Sequence, residues 1–194
     1  VINFFKGNFD YQEEFRDKFY GIGFQVVSQP LQFLIQKIIP LFYYVDDYGS
    51  KLISKHAVVF IFFSISSIYL KKILYLITKN ELFAVLSTIF YLLYPYLFGH
   101  SLFNPKDIPF LSIWIILTYF NFHLINRFID TNIIKYREVF LFAFLSAFLI
   151  SIRVSGILIF LQYLLSFIFL LNIKKISYEL IFKEILIKLI FFIF

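Results

Sequence analysis

Cysteine is absent from the 194 residues, so no disulfide staples the chain and no thiolate can ligate a metal. That absence leaves the redox compartment open. Histidine is scarce, with three copies, too few for a clustered imidazole site. Charge is scarce as well, at 15% of residues, against about a quarter in soluble domains. A chain with so little polar material cannot cover a water-exposed surface. The start has no charged n-region, short apolar core and small-residue cleavage site, so nothing there resembles a signal peptide. A single basic patch is also missing. The formal charge of +6 is dispersed between apolar blocks, which argues against nucleic acid as a partner and for membrane topology.

Apolar and aromatic residues fill the space. Hydrophobic residues make up 61% of the chain, with 30 Phe and 14 Tyr, and they arrive in blocks separated by short charged stretches. Several membrane crossings produce that pattern; one oversized core does not. The expectation is an all-α polytopic membrane protein with lipid as its solvent. Because the chain opens on Val1 and its last stretch, 185–194, stops within an apolar run, both ends read as cuts from a longer protein.

Two domains are expected. Residues 1–55 read as an external loop, with an acidic cluster of Asp10, Glu13, Glu14 and Asp17 followed by an amphipathic helix over 24–39. Gln29, Gln32 and Gln36 recur at helical spacing, with Phe33, Leu34, Ile35 and Ile38 supplying apolar contact, the mark of a helix lying in the membrane interface. Pro30 bends or starts this helix and Pro40 ends it. Residues 56–194 read as the transmembrane domain, truncated at both ends of the chain. Spans are expected from 56 or 57 to 77, over 82–98 and over 109–125. Two shorter apolar blocks, 139–152 and 157–171, read as one broken helix, a re-entrant pair, or two short spans joined by a tight turn.

Charge chooses among topologies. With Lys71, Lys72 and Lys79 cytoplasmic, two further crossings put Arg127, Lys135 and Arg137 on the same side. Two more put Lys174 and Lys175 there. Lys106 and Arg153 fall on the outer side, against the trend, as do Arg16, Lys18, Lys51 and Lys55 of the opening, so the rule is strong only for the short links. Such exceptions are where an anionic ligand can be held, because charge near lipid is costly unless paired or used.

Candidate chemistry concentrates in the same places. The run Phe98-Gly99-His100-Ser101-Leu102-Phe103-Asn104-Pro105-Lys106-Asp107-Ile108-Pro109 is a polar turn between aromatic-rich spans. Asn104-Pro105 signals the turn, Asp107 is placed to cap the next helix, and Lys106 suits a phosphate. The plainer alternative is a solvated turn with a helix cap. Arg153, in Ile152-Arg153-Val154-Ser155-Gly156, offers a fork of donors that matches phosphate, or snorkels to lipid headgroups. Asp46-Asp47 reads as an ordinary turn and His56 as a helix-start contact. No dependable metal-ligand cluster is visible, which leaves a divalent metal and any other cofactor open.

Those residues carry a family likeness. The polar turn, together with the stretch 147–158 around Arg153, resembles bacterial dolichyl-phosphate-mannose-protein mannosyltransferase-like proteins, membrane glycosyltransferases of the GT-C type. The likeness spans most of the chain loosely and is specific mainly at the turn. It implies a partial GT-C fold in the bacterial cytoplasmic membrane, with the active face toward the exterior. It also implies sugar transfer from a polyprenyl-phosphate donor to a protein, lipid or glycan acceptor. On that resemblance Asp107 belongs to an acidic catalytic site, and Arg153, Lys106, His100 and Asn104 lie near the donor phosphate. The departure is the missing first membrane helix, after which the family's main acidic motif comes. Asp10 or Glu13 would stand in for that carboxylate, and the segment alone is not expected to be active. The rival reading is a transporter or flippase segment for a lipid-linked or anionic substrate.

Overall fold

Side-chain caps start several of the helices in the computed structural model, which describes residues 22–131 and 133–174. Helix α1, Gly23–Ile38, contains Pro30 and gives way at Pro40 to a 3-10 turn, Ile39–Leu41. Helix α2, Asp47–Thr78, is capped by Asp46, whose Oδ1 accepts the Gly49 N–H at 3.0 Å. It therefore begins well before the span expected at 56 or 57, and the Asp46-Asp47 pair is a helix start, where a simple turn was expected. At its other end Lys79 adopts the left-handed conformation, with φ 54°, and Asn80 at once caps helix α3, Glu81–Leu93, by accepting the Phe83 N–H at 3.0 Å.

Helix α4, Pro95–Ser101, comes after a bend of 61°. Pro95 has no N–H to give and holds Tyr94 in an extended conformation, ψ 116°, so the expected span over 82–98 is broken there. Helix α5 is Asp107–Thr131 and helix α6 is Tyr136–Ile152. A 3-10 segment, Val154–Leu158, then leads to helix α7, Ile159–Lys174. Every regular element among the described residues is helical, so the fold is all-α there.

Helices α2 and α5 form the axis of the bundle, with α3 and α1 on α2 and with α6 and α7 on α5. Phe24, Val58, Val59, Phe63, Ile113, Leu117 and Leu149 meet in its core. The turn at residues 153–158 folds α7 back along α6: Ser146 Oγ and Tyr163 OH lie 2.9 Å apart, and Phe142 packs edge-on to Tyr163. Of the three arrangements open for 139–152 and 157–171, this excludes a continuous broken helix. Gly156 makes the fold-back feasible, since a Cβ there would stand 2.9 Å from the backbone of Leu149 and Ile150.

The surface chemistry is inverted relative to a water-soluble bundle. Helix α3 buries Ala84 and Thr88 while exposing Leu82, Phe83, Leu86, Ile89, Phe90 and Leu93. Burying small and weakly polar residues against other helices, with large apolar side chains outward, is the arrangement of helices in an apolar solvent. Helices α2 and α5 are long and apolar enough to cross a membrane, and α3 with α4 makes a third crossing if the bent pair is one span.

Helix α1 packs against α2. Phe24 meets Phe62 at 5.2 Å, and Gln36 Nε2 donates to Ser54 Oγ at 3.1 Å, so α1 runs antiparallel along α2. Serines supply the reason. Ser28, Ser50 and Ser54 are buried between the two helices, and close approach there satisfies part of the glutamine stripe inside the protein. Phe33, Leu34 and Ile38 remain exposed.

Candidate functional site

Helix α4 ends at Ser101, which is fully buried and donates to the Phe98 carbonyl at 2.6 Å. The chain turns through residues 102–106, where the Phe103 and Asn104 N–H groups both return to the His100 carbonyl. Asn104 organises the start of α5. Its Oδ1 accepts the backbone N–H of Lys106 at 3.1 Å and of Asp107 at 2.9 Å, so two donors there are satisfied by one amide oxygen. Asn104 thus takes the capping role expected of Asp107. The Asp107 carboxylate is released for other partners, and Pro109 sits in the first turn, where a missing N–H costs nothing.

Asp107 uses both oxygens. Oδ1 accepts from Arg153 Nη1 at 2.6 Å across 46 residues of sequence, and Oδ2 accepts from Asn104 Nδ2 at 3.1 Å. The same Asn104 nitrogen stands 3.0 Å from His100 Nδ1. His100, Asn104, Asp107 and Arg153 therefore form one hydrogen-bonded chain at one end of the bundle. The His100 ring lies between Tyr96, at 4.4 Å, and Phe103, at 5.2 Å. The Arg153 guanidinium also lies 5.9 Å from the centroid of the Phe110 ring.

Local structure aims Arg153. It ends α6 in an extended conformation, its N–H on the Leu149 carbonyl at 3.2 Å, and its own carbonyl accepts the Gly156 N–H at 2.8 Å. Both side chains of the ion pair stay accessible, at 37% for Arg153 and 52% for Asp107.

No protein-family model, curated protein or solved structure matches the chain. The likeness read from the polar turn therefore stands on those residues alone.

Of the residues singled out from sequence, the structure brings His100, Asn104, Asp107 and Arg153 together. Lys106 is exposed on the same turn and contributes its backbone N–H to the Asn104 cap. Asp10 and Glu13 lie outside the described residues. Among the described residues, no group of three or more His, Asp or Glu side chains is placed to hold a metal ion.

One polar feature escaped the sequence reading. Trp114 Nε1 donates to Gln162 Oε1 at 2.9 Å, Gln162 Nε2 donates to Thr118 Oγ1 at 3.0 Å, and Asn121 Nδ2 donates to Ser166 Oγ at 2.6 Å. Together they ladder α5 to α7 midway along both helices. Helical spacing of Trp114, Thr118 and Asn121 was the available signal, with Gln162 and Ser166 as its counterpart. At the far end of the bundle Arg127 pairs with Glu138, and Lys71 pairs with Glu81 at 2.6 Å.

Proposed function

We propose that this chain is a segment of a membrane glycosyltransferase that takes a sugar from a polyprenyl-phosphate donor at the end of the bundle carrying Arg153 and Asp107. One observation carries the reading: the basic exception to the charge pattern at Arg153 meets the polar turn, bonded to Asp107 in an accessible position. Charge at the edge of an apolar bundle is retained where it has a partner or a ligand. Here the internal partner is reachable from outside, so a phosphate can compete for the guanidinium.

An acceptor hydroxyl oxygen attacks the anomeric carbon, and the bond from that carbon to the phosphate oxygen breaks. The electron pair leaves with the lipid phosphate, where Arg153 meets the developing negative charge. The hydroxyl proton passes to a carboxylate, for which Asp107 is the candidate among the described residues. Its oxygens each retain a lone pair beyond the bonds to Arg153 and Asn104. Drawing Arg153 onto the phosphate would free one oxygen further. The lipid tail remains among the outward-facing apolar side chains of the helices. A bacterial cytoplasmic membrane, with this end exterior, fits the lysine and arginine of the short links at the other end.

The test uses the full-length protein in liposomes with a radiolabelled polyprenyl-phosphate sugar. Arg153→Gln and Asp107→Asn are each expected to lower transfer by about 100-fold or more, the scale of losing one transition-state charge contact, with protein abundance near wild type. Undiminished transfer by both well-expressed variants would remove the assignment. Label that crosses the bilayer still attached to its lipid would instead identify a flippase.

A further inference from the structure

We propose that Asn104 is a positioning residue that dictates which nitrogen of His100 carries the ring proton, leaving His100 as a neutral Nε2–H donor in the network that holds Asp107 and Arg153. The inference deepens the glycosyltransferase reading by giving its phosphate a second donor, and it rests on that reading for its purpose but not for its geometry.

Donor and acceptor chemistry leaves little choice. A backbone N–H can only donate, and two of them, from Lys106 and Asp107, point at one atom of the Asn104 amide at 3.1 and 2.9 Å. That atom must be the oxygen, so the orientation of the amide is settled by chemistry. Turning the amide over would break both bonds at the start of α5. The nitrogen on its other side carries two hydrogens and has two neighbours in reach, Asp107 Oδ2 at 3.1 Å and His100 Nδ1 at 3.0 Å. A carboxylate oxygen accepts one hydrogen. The other faces Nδ1, which accepts only with a bare lone pair, and a neutral imidazole with Nδ1 bare is protonated on Nε2.

Rotation of the ring does not offer an easy escape. Tyr96 and Phe103 flank the imidazole at 4.4 and 5.2 Å, and turning it over would set a carbon against the Asn104 hydrogen. Nε2 has no hydrogen-bond partner among the described residues. One amide therefore secures three things at once: the backbone that starts α5, the Asp107 carboxylate that receives Arg153, and the hydrogen His100 has to offer. A neutral donor and a guanidinium in one network are a combination suited to an oxyanion.

The experiment reads the ring nitrogens directly. Full-length protein labelled with 15N-histidine is placed in lipid nanodiscs without added ligand, and the His100 signals are identified by their loss in His100→Gln. The expected spectrum has a protonated Nε2 and a bare Nδ1. In Asn104→Asp the acceptor for the backbone N–H groups is kept, but a second carboxylate oxygen replaces the amide nitrogen facing Nδ1, so the proton should move to Nδ1. A wild-type spectrum with Nδ1 protonated, or with both tautomers mixed, would overturn the proposal. So would a bare Nδ1 in Asn104→Asp. If that variant does not fold, the wild-type spectrum decides alone. The measurement needs no turnover: protein that forms no product yet shows Nε2–H defeats the glycosyltransferase reading and supports this one.

Discussion

The Arg153–Asp107 pair makes a quantitative demand on stability that separates a ligand-exchangeable ion pair from a purely structural one. Its single bond of 2.6 Å joins side chains that are 37% and 52% exposed, so water and salt screen it from both sides. Pairs of this kind contribute about 0.2–1 kcal/mol, whereas breaking a desolvated pair costs about 3–5 kcal/mol. A double-mutant cycle of Arg153→Gln and Asp107→Asn, read by denaturant unfolding in a fixed detergent, should give a coupling energy of about 1 kcal/mol or less. The coupling should shrink as salt is raised. It should shrink again when a polyprenyl phosphate is added, because the phosphate takes over the guanidinium. A coupling above about 3 kcal/mol, in the range of buried pairs, would refute the reasoning. Arg153 would then be committed to Asp107, and no headgroup could draw it away without unfolding the turn.

The same geometry sets three further outcomes. Gln162→Leu leaves Trp114 Nε1 without its acceptor and removes a partner of Thr118, and should destabilise the bundle by about 1–2 kcal/mol in the same unfolding assay. Gly156→Ala forces a Cβ to 2.9 Å from the Leu149 backbone and should cost about 1–3 kcal/mol, while Gly99→Ala, where no neighbouring atom lies within 4 Å, should be neutral or slightly stabilising; thermal unfolding of the two variants side by side checks the contrast. Single cysteines at the exposed positions Phe103 and Tyr44 should be labelled by an impermeant reagent from one side of the membrane, and those at Lys79 and Ile133 from the other. Ser101 is a poor labelling position despite its place in the polar turn, because it is fully buried.

Much of this architecture was legible in the order of residues. Composition alone called for helices in an apolar solvent, since so few charged residues cannot clothe a bundle in water, and the outward Leu and Phe of α3 accord with that. Local signals placed two boundaries: Pro40 at the close of α1 and the Asn104-Pro105 turn before α5. The exceptions to the charge pattern singled out Arg153 and the polar turn, because an ionised group beside lipid needs a partner. What sequence could not supply was the partner itself. Asp107 and Arg153 meet only because α6 rises beside α5 and Gly156 lets the chain turn back at that level, a relation between segments 46 residues apart.

The missed contacts share a cause. Apolar periodicity reports which residues avoid water and is silent on whether they face protein or lipid, so it did not show that the serines and glutamines of α1 dock on α2. The ladder between α5 and α7 was hidden for the same reason, since Gln162 in an apolar helix has no meaning until Trp114 and Thr118 are set opposite it. From sequence alone came the strongly apolar character, the helical class and some of the helix ends, because these depend on composition and nearest neighbours. Only tertiary packing decided which polar groups satisfy one another, because a hydrogen bond is settled by distance and direction between atoms that the chain order leaves far apart.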